Sequence, residues 1–207
     1  PVADAGLISG RGQYNCSRAL NGSQCDPNNM PAIYKVTKGK KYRFRIINMS
    51  AESYFRISID QHVLQIIEVD GVSVKPINVT ILPINIGERF SVIVEASQEV
   101  GNYYIRANIA CIEDAGPGTI NYDSDLIDNS NITGILQYDG APNDTLPQSQ
   151  MTYDDNRYPC QDLDVDLIKT YVPVPPPQEV TDPIKIDISL GFNDQNTTTA
   201  YINGQSW

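Results

Sequence analysis

Hydrophobic and polar residues alternate along most of this chain. Tyr42, Phe44 and Ile46 alternate with Lys41, Arg43 and Arg45, and Phe55, Ile57 and Ile59 alternate with Arg56, Ser58 and Asp60. A period of two puts successive side chains on opposite faces of a strand, so each set predicts one side in a core and one in water. The same reading predicts strands over Ala32–Thr37, Val63–Val69, Asn78–Ile84, Arg89–Ala96, Tyr103–Asn108 and Ile132–Tyr138. Turn pairs bound them: Lys38-Gly39, Asp70-Gly71, Ile86-Gly87 and Asp139-Gly140. Short strands about ten residues apart, with no amphipathic helix between them, predict an all-β fold, either a two-sheet antiparallel sandwich or a Greek-key barrel.

Two stretches interrupt the pattern. Ile109–Asn131 is rich in Gly, Asp and Asn and too long for a tight hairpin, which predicts a surface loop. Val172–Pro183 reads VPVPPPQEVTDP. Its prolines cannot donate to a ladder and favour an extended linker. The expected organisation is therefore a main domain over 1–171, a linker over 172–183 and the opening strands of a further β domain over 184–207, where the chain stops just after a first hairpin.

Charge and cysteines narrow the class. The 207 residues carry 15 Lys and Arg against 25 Asp and Glu, a formal charge of -10, which repels nucleic acid and anionic membrane surfaces. No apolar run is long enough for a helical span, so neither nucleic acid nor membrane is expected as a partner. Seven N-x-S/T sequons, at Asn15, Asn21, Asn48, Asn78, Asn131, Asn143 and Asn196, and an even four cysteines point to secretion. Asn48 lies within a strand pattern, where its amide is expected to bond backbone and escape glycosylation. The other six are the candidate acceptors. Cys16, Cys25, Cys111 and Cys160 lack metal-site spacing and are expected in disulfides, with three pairings open. In the chain-entropy account, Cys16 with Cys25 would contribute about 2.7 kcal/mol and Cys111 with Cys160 about 4.

Four ordered motifs carry a resemblance. They are R-x-R-I-x-N at Arg43, Arg45, Ile46 and Asn48; S-I-D-x-H over Ser58–His62; I-E-x-D-G at Ile67, Glu68, Asp70 and Gly71; and G-x-R-F at Gly87, Arg89 and Phe90. With GLISGRGQY near the start and INGQSW at the end, they make the chain resemble the middle domain of fungal laccase-like multicopper oxidases, with ascorbate oxidases as the sister group. The resemblance implies a cupredoxin-like Greek-key fold, which the residue pattern alone does not separate from an immunoglobulin-like sandwich. It implies a secreted parent enzyme that oxidises phenolic donors one electron at a time and reduces dioxygen to water. Copper in such enzymes is held by histidine and cysteine motifs of a first and a third cupredoxin domain, the partners of this piece. It also implies a disulfide between Cys111 and Cys160.

Imidazole and thiolate suit copper, yet the only histidine is His62. With no second imidazole, His62 is expected to be hydrogen-bonded beside a strand, and no residue here is expected to ligate metal. Alone, the chain is expected to be inactive. The resemblance places Glu52, in N-M-S-A-E-S-Y-F, at the mouth of the phenol pocket, and Ala110, just before Cys111, along its wall. A carboxylate there can accept the phenolic proton as the electron leaves. The pairs Glu113 with Asp114, Asp123 with Asp125 and Asp154 with Asp155 are read as solvated loop acids, because neighbours in a loop define no cleft. The alternative to an oxidase piece is a free-standing secreted β-sandwich that binds a partner without catalysis.

Overall fold

The structure is a computed structural model. It describes residues 6–19, 22–51, 53–110, 132–143, 145–151, 161–179 and 182–206. The chain divides into two compact units, Pro1–Pro173 and Val174–Trp207.

Among the described residues the first unit has nine strands: β1 (Ile33–Val36), β2 (Lys41–Ile47), β3 (Tyr54–Ile59), β4 (Leu64–Val69), β5 (Val72–Val79), β6 (Leu82–Ile84), β7 (Arg89–Glu95), β8 (Asn102–Ala110) and β9 (Thr133–Tyr138). They form a five-stranded sheet in the order β1-β9-β8-β3-β6 and a four-stranded sheet in the order β2-β7-β4-β5. Every pairing is antiparallel except β1 with β9. The inward residues of both sheets make one core, with Leu64, Ile66, Val92 and Val94 from one sheet and Val36, Ile59, Leu82, Ile84, Leu136 and Tyr138 from the other.

Turn chemistry sets the registers. Asp70 and Gly71 both take left-handed φ, 47° and 83°, and Val69 pairs with Val72. This is the two-residue connection that Asp-Gly favours between twisted strands. Farther along β4 the register shifts between Ile66 and Glu68. Ile67 is the extra residue of a bulge, which leaves Ile66 in the core and turns Glu68 to the outer face. There Arg43 donates to Glu68 at 2.9 Å and the Ser91 hydroxyl does so at 3.0 Å.

Two expectations need correction. Asn78–Ile84 is not one strand: the chain leaves the four-stranded sheet after Val79 and enters the other at Leu82, changing sheets at Thr80 and Ile81. The residues before it, from Val72, form most of β5 despite Pro76. That proline is tolerated because it falls in the register shift between β4 and β5, between the pairs Ile66 with Ile77 and Glu68 with Ser73, where it owes no ladder bond. A short bridge between Val74 and Thr170, with Lys75 N–H donating to Lys169 and Tyr171 N–H to Ser73, runs along β5. The second correction concerns β3, whose polar side does not face water. Ser58 and Asp60 are buried, because the chain after β9 returns over them: Ser149 donates to Asp60 at 2.7 Å and Tyr54 donates to the Gln161 carbonyl at 2.7 Å.

Near the start, Cys16 and Cys25 form a disulfide beside a 3₁₀ turn over Cys16–Arg18. Cys111 and Cys160 lie outside the described residues. In the second unit, β10 (Ile188–Phe192), β11 (Thr198–Ile202) and β12 (Gln205–Ser206) form a three-stranded antiparallel sheet. Ile188, Leu190 and Phe192 share one side of β10 and are 71–77% exposed, and Ile202 sits across from Ile188. The alternation is that of a half-buried strand, and among the described residues of this unit nothing covers the apolar side.

The buried acid beside β3 gives a direct test of what holds the first unit. Asp60 is fully buried and accepts both Arg106 Nε and an Arg106 terminal nitrogen at 2.8 Å. Removing one member of a buried, bidentate pair leaves the other charge poorly compensated. We expect Asp60→Ala to lower unfolding stability by about 3–5 kcal/mol, read as a shifted urea midpoint at unchanged slope.

Candidate functional site

The connection from β2 to β3 carries the predicted site, and Asn48 organises it. Its backbone N–H donates to the Glu88 carbonyl at 3.1 Å and its carbonyl accepts Gly87 N–H at 2.9 Å, extending the pairing of β2 with β7 beyond the end of β2. The side-chain amide donates to the Ser53 carbonyl at 2.8 Å and the Ile84 carbonyl at 3.2 Å, and its oxygen accepts Ser50 N–H at 3.0 Å. Asn48 is therefore buried and committed to backbone, as its sequence setting suggested. It splints the loop on both sides of position 52. Glu52 itself lies outside the described residues.

Ser53 leads into β3, where Tyr54 pairs with Ala110 at the end of β8. Ala110 is buried, and Ile109 and Ala110 continue the strand rather than opening the loop expected from Ile109 onward. The sheet thus brings Ala110 across from Tyr54, two positions beyond Glu52 in sequence. Asn85 donates to the Asp162 carboxylate at 2.8 Å, and the Tyr54 hydroxyl is committed to Gln161. Burial, reinforced by the Asp162 charge, pushes the Tyr54 phenol up to about 12, so it does not act as a base near neutrality. At the same end Met49 is 87% exposed, and Ile47 and Ile86 are about half exposed, leaving apolar surface beside the loop. Sequence reasoning missed Tyr54, Asn85 and Asp162, because their meeting depends on how the chain after β9 returns.

His62 fits no metal. Gln98 N–H donates to the Tyr138 oxygen at 3.1 Å, leaving the Tyr138 proton to bond His62 Nε2 at 2.7 Å. Nδ1–H then donates to the Asp60 carbonyl at 2.7 Å. Both ring nitrogens are engaged, and the ring is buried edge-on to Tyr103 with centroids 5.0 Å apart. The thiols of Cys16 and Cys25 are bonded to each other. Among the described residues no three His, Cys, Asp or Glu side chains converge as a metal site would require. The described donors therefore do not fit copper.

Of the predicted acceptor asparagines, Asn15, Asn78, Asn143 and Asn196 are exposed. Asn15 caps the 3₁₀ turn by accepting Ser17 N–H, Asn78 accepts from Gln65 on the sheet surface, and Asn196 takes a left-handed φ of 58° in the β10–β11 turn. Asn21 and Asn131 lie outside the described residues, as do the paired acids Glu113 with Asp114, Asp123 with Asp125 and Asp154 with Asp155.

The sequence pattern of the family described as multicopper oxidase matches residues 1–141. The chain belongs to the multicopper oxidases. Within that family it is laccase-like. It is 41% identical over 143 residues to laccase-4 of Thanatephorus cucumeris, covering 69% of this chain and 24% of that protein. It is 34% identical over 206 residues to a laccase of Trametes maxima, covering 99% of this chain and 36% of that one. The crystal structure of the laccase from Botrytis aclada superposes with a TM-score of 0.72 at 30% identity, over 95% of this chain and 33% of that one. The sandwich is therefore cupredoxin-like, and this multicopper oxidase chain spans about a quarter to a third of the length of these relatives.

Burial makes the His62 network sensitive to acid. It holds the imidazole below its ordinary value of 6.5, partly offset by the bond to the Asp60 carbonyl and by the Asp60 charge. The unfolded chain therefore takes up this proton before the folded one does. Stability is expected to be fully present above about pH 6.5 and to decline below it, until the folded imidazole also protonates. Urea midpoints between pH 7.5 and 5 should fall more steeply for the wild type than for His62→Gln. Equal slopes would show that carboxylates alone set the acid sensitivity.

Proposed function

We propose that this chain is the middle cupredoxin-like domain, over 1–171, the linker, over 172–183, and the opening of the third domain, over 184–207, of a secreted laccase-like oxidase. The parent oxidises phenolic donors in one-electron steps and reduces dioxygen to water, with copper held by residues outside this chain. The middle domain spaces the copper-bearing domains and supplies one wall of the donor pocket. The observation that supports this reading is the register of Ala110 with Tyr54, two residues beyond Glu52 in sequence. The exposed apolar side of β10 supports the domain reading, since such a sheet needs a second layer. Four of the candidate glycosylation asparagines, Asn15, Asn78, Asn143 and Asn196, are exposed, in keeping with a secreted glycoprotein; the remaining two, Asn21 and Asn131, are proposed from their sequons.

Glu52 acts on the proton rather than on the electron. A phenol oxidised without losing its proton becomes a high-energy cation. A carboxylate that bonds the hydroxyl and takes the proton in the same step avoids it. Asn48 serves as the positioning residue, because its amide fastens both ends of the loop.

Glu52→Gln in the source oxidase tests this role. We expect kcat/KM for a phenol to fall by about 100-fold, with the acidic limb of its pH profile lost. A donor that releases an electron but no proton should be oxidised at close to the wild-type rate. Equal losses for both donors would remove Glu52 from proton transfer.

A further inference from the structure

Tyr138 and His62 are a buried acid and base that no step at the pocket uses. We propose that the two together form a proton-coupled redox site, at which a one-electron oxidant reaching the protein surface converts Tyr138 to a neutral phenoxyl radical while His62 takes the phenolic proton. The inference is independent of the copper-domain reading.

The geometry supplies each requirement. The Tyr138 O–H points at His62 Nε2 across 2.7 Å, and the direction is fixed because Gln98 N–H occupies the phenol oxygen from the other side. On oxidation the O–H bond breaks, an N–H bond forms at Nε2, and one electron passes to the oxidant, which is reduced by one. The products are a tyrosyl radical and an imidazolium. A phenol that has lost an electron is a far stronger acid than imidazolium, so the proton moves along the existing bond. Return of one electron reverses both transfers.

The surroundings favour the products. Nδ1–H keeps its bond to the Asp60 carbonyl when the ring becomes cationic, and the Asp60 carboxylate, held by Arg106, adds a favourable negative charge. Burial raises the Tyr138 phenol and lowers the imidazole. At neutral pH the pair is therefore phenol and neutral base, and loss of the electron together with the proton avoids the high-energy phenol cation. Tyr138 is 0% and His62 4% exposed, which shields the radical from coupling with a second one. Tyr103 packs against both rings, 5.4 Å from Tyr138 between centroids, but its hydroxyl donates to the Glu99 carbonyl. A carbonyl cannot take up a phenolic proton as imidazole does, so the hole rests on Tyr138.

The probe is photogenerated tris(bipyridyl)ruthenium(III), an outer-sphere one-electron oxidant, acting on the chain in frozen-trapped and time-resolved experiments. We expect a long-lived neutral tyrosyl radical by electron paramagnetic resonance, formed more slowly in heavy water than in light water. Tyr138→Phe should lose that signal and Tyr103→Phe should keep it. His62→Gln, checked for folding by near-ultraviolet circular dichroism, should form it about tenfold more slowly, equivalent to about 1.4 kcal/mol in the barrier. A wild-type chain without a long-lived radical, or a radical that survives in Tyr138→Phe, would overturn the proposal. Should the His62 variant unfold, the wild-type solvent-isotope comparison decides: equal rates in the two waters would separate electron from proton and refute the coupled step.

Discussion

The first unit is held by a line of buried polar bonds around the end of β3. Asp60 receives Arg106 from β8 through two 2.8 Å bonds and Ser149 from the returning chain. Its carbonyl receives His62, which in turn is bonded by Tyr138 at the end of β9. An anion so deep in a sandwich would be prohibitive without such partners. With them it ties three strands and one irregular segment to a single point. The apolar core explains why the sheets pack; the polar line fixes which residues sit at the junction.

The same commitments separate structure from chemistry. His62 is engaged through both ring nitrogens, the described cysteines are bonded to each other, and Asp60 is paired with Arg106. What remains free lies at the edge of the sandwich, where Asn48 splints a loop and Met49 and Ile86 leave apolar surface exposed.

Much of the fold was legible because strand periodicity and Asp-Gly turns are local signals. The Tyr42–Ile46 alternation and the Asp70-Gly71 hairpin are realised as read. The failures came where distant chain decided the outcome. Ser58 and Asp60 look solvent-facing by period, but the segment containing Ser149 covers them. The strand read over Asn78–Ile84 breaks because the connection changes sheets, which no pair of neighbouring residues announces. At the site, Asn48 was legible as a structural amide in its strand. The approach of Asp162 to Asn85 and of Gln161 to Tyr54 spans about half the sequence of the unit and left no local trace.

The central claim is that this chain provides framework and pocket wall while an electron-accepting metal is held elsewhere. Copper content is its most direct measure. After incubation with copper and removal of loosely bound ions, the 207-residue chain should retain substoichiometric copper and show no blue absorption. One tightly held copper per chain, lost on His62→Gln, would contradict the account.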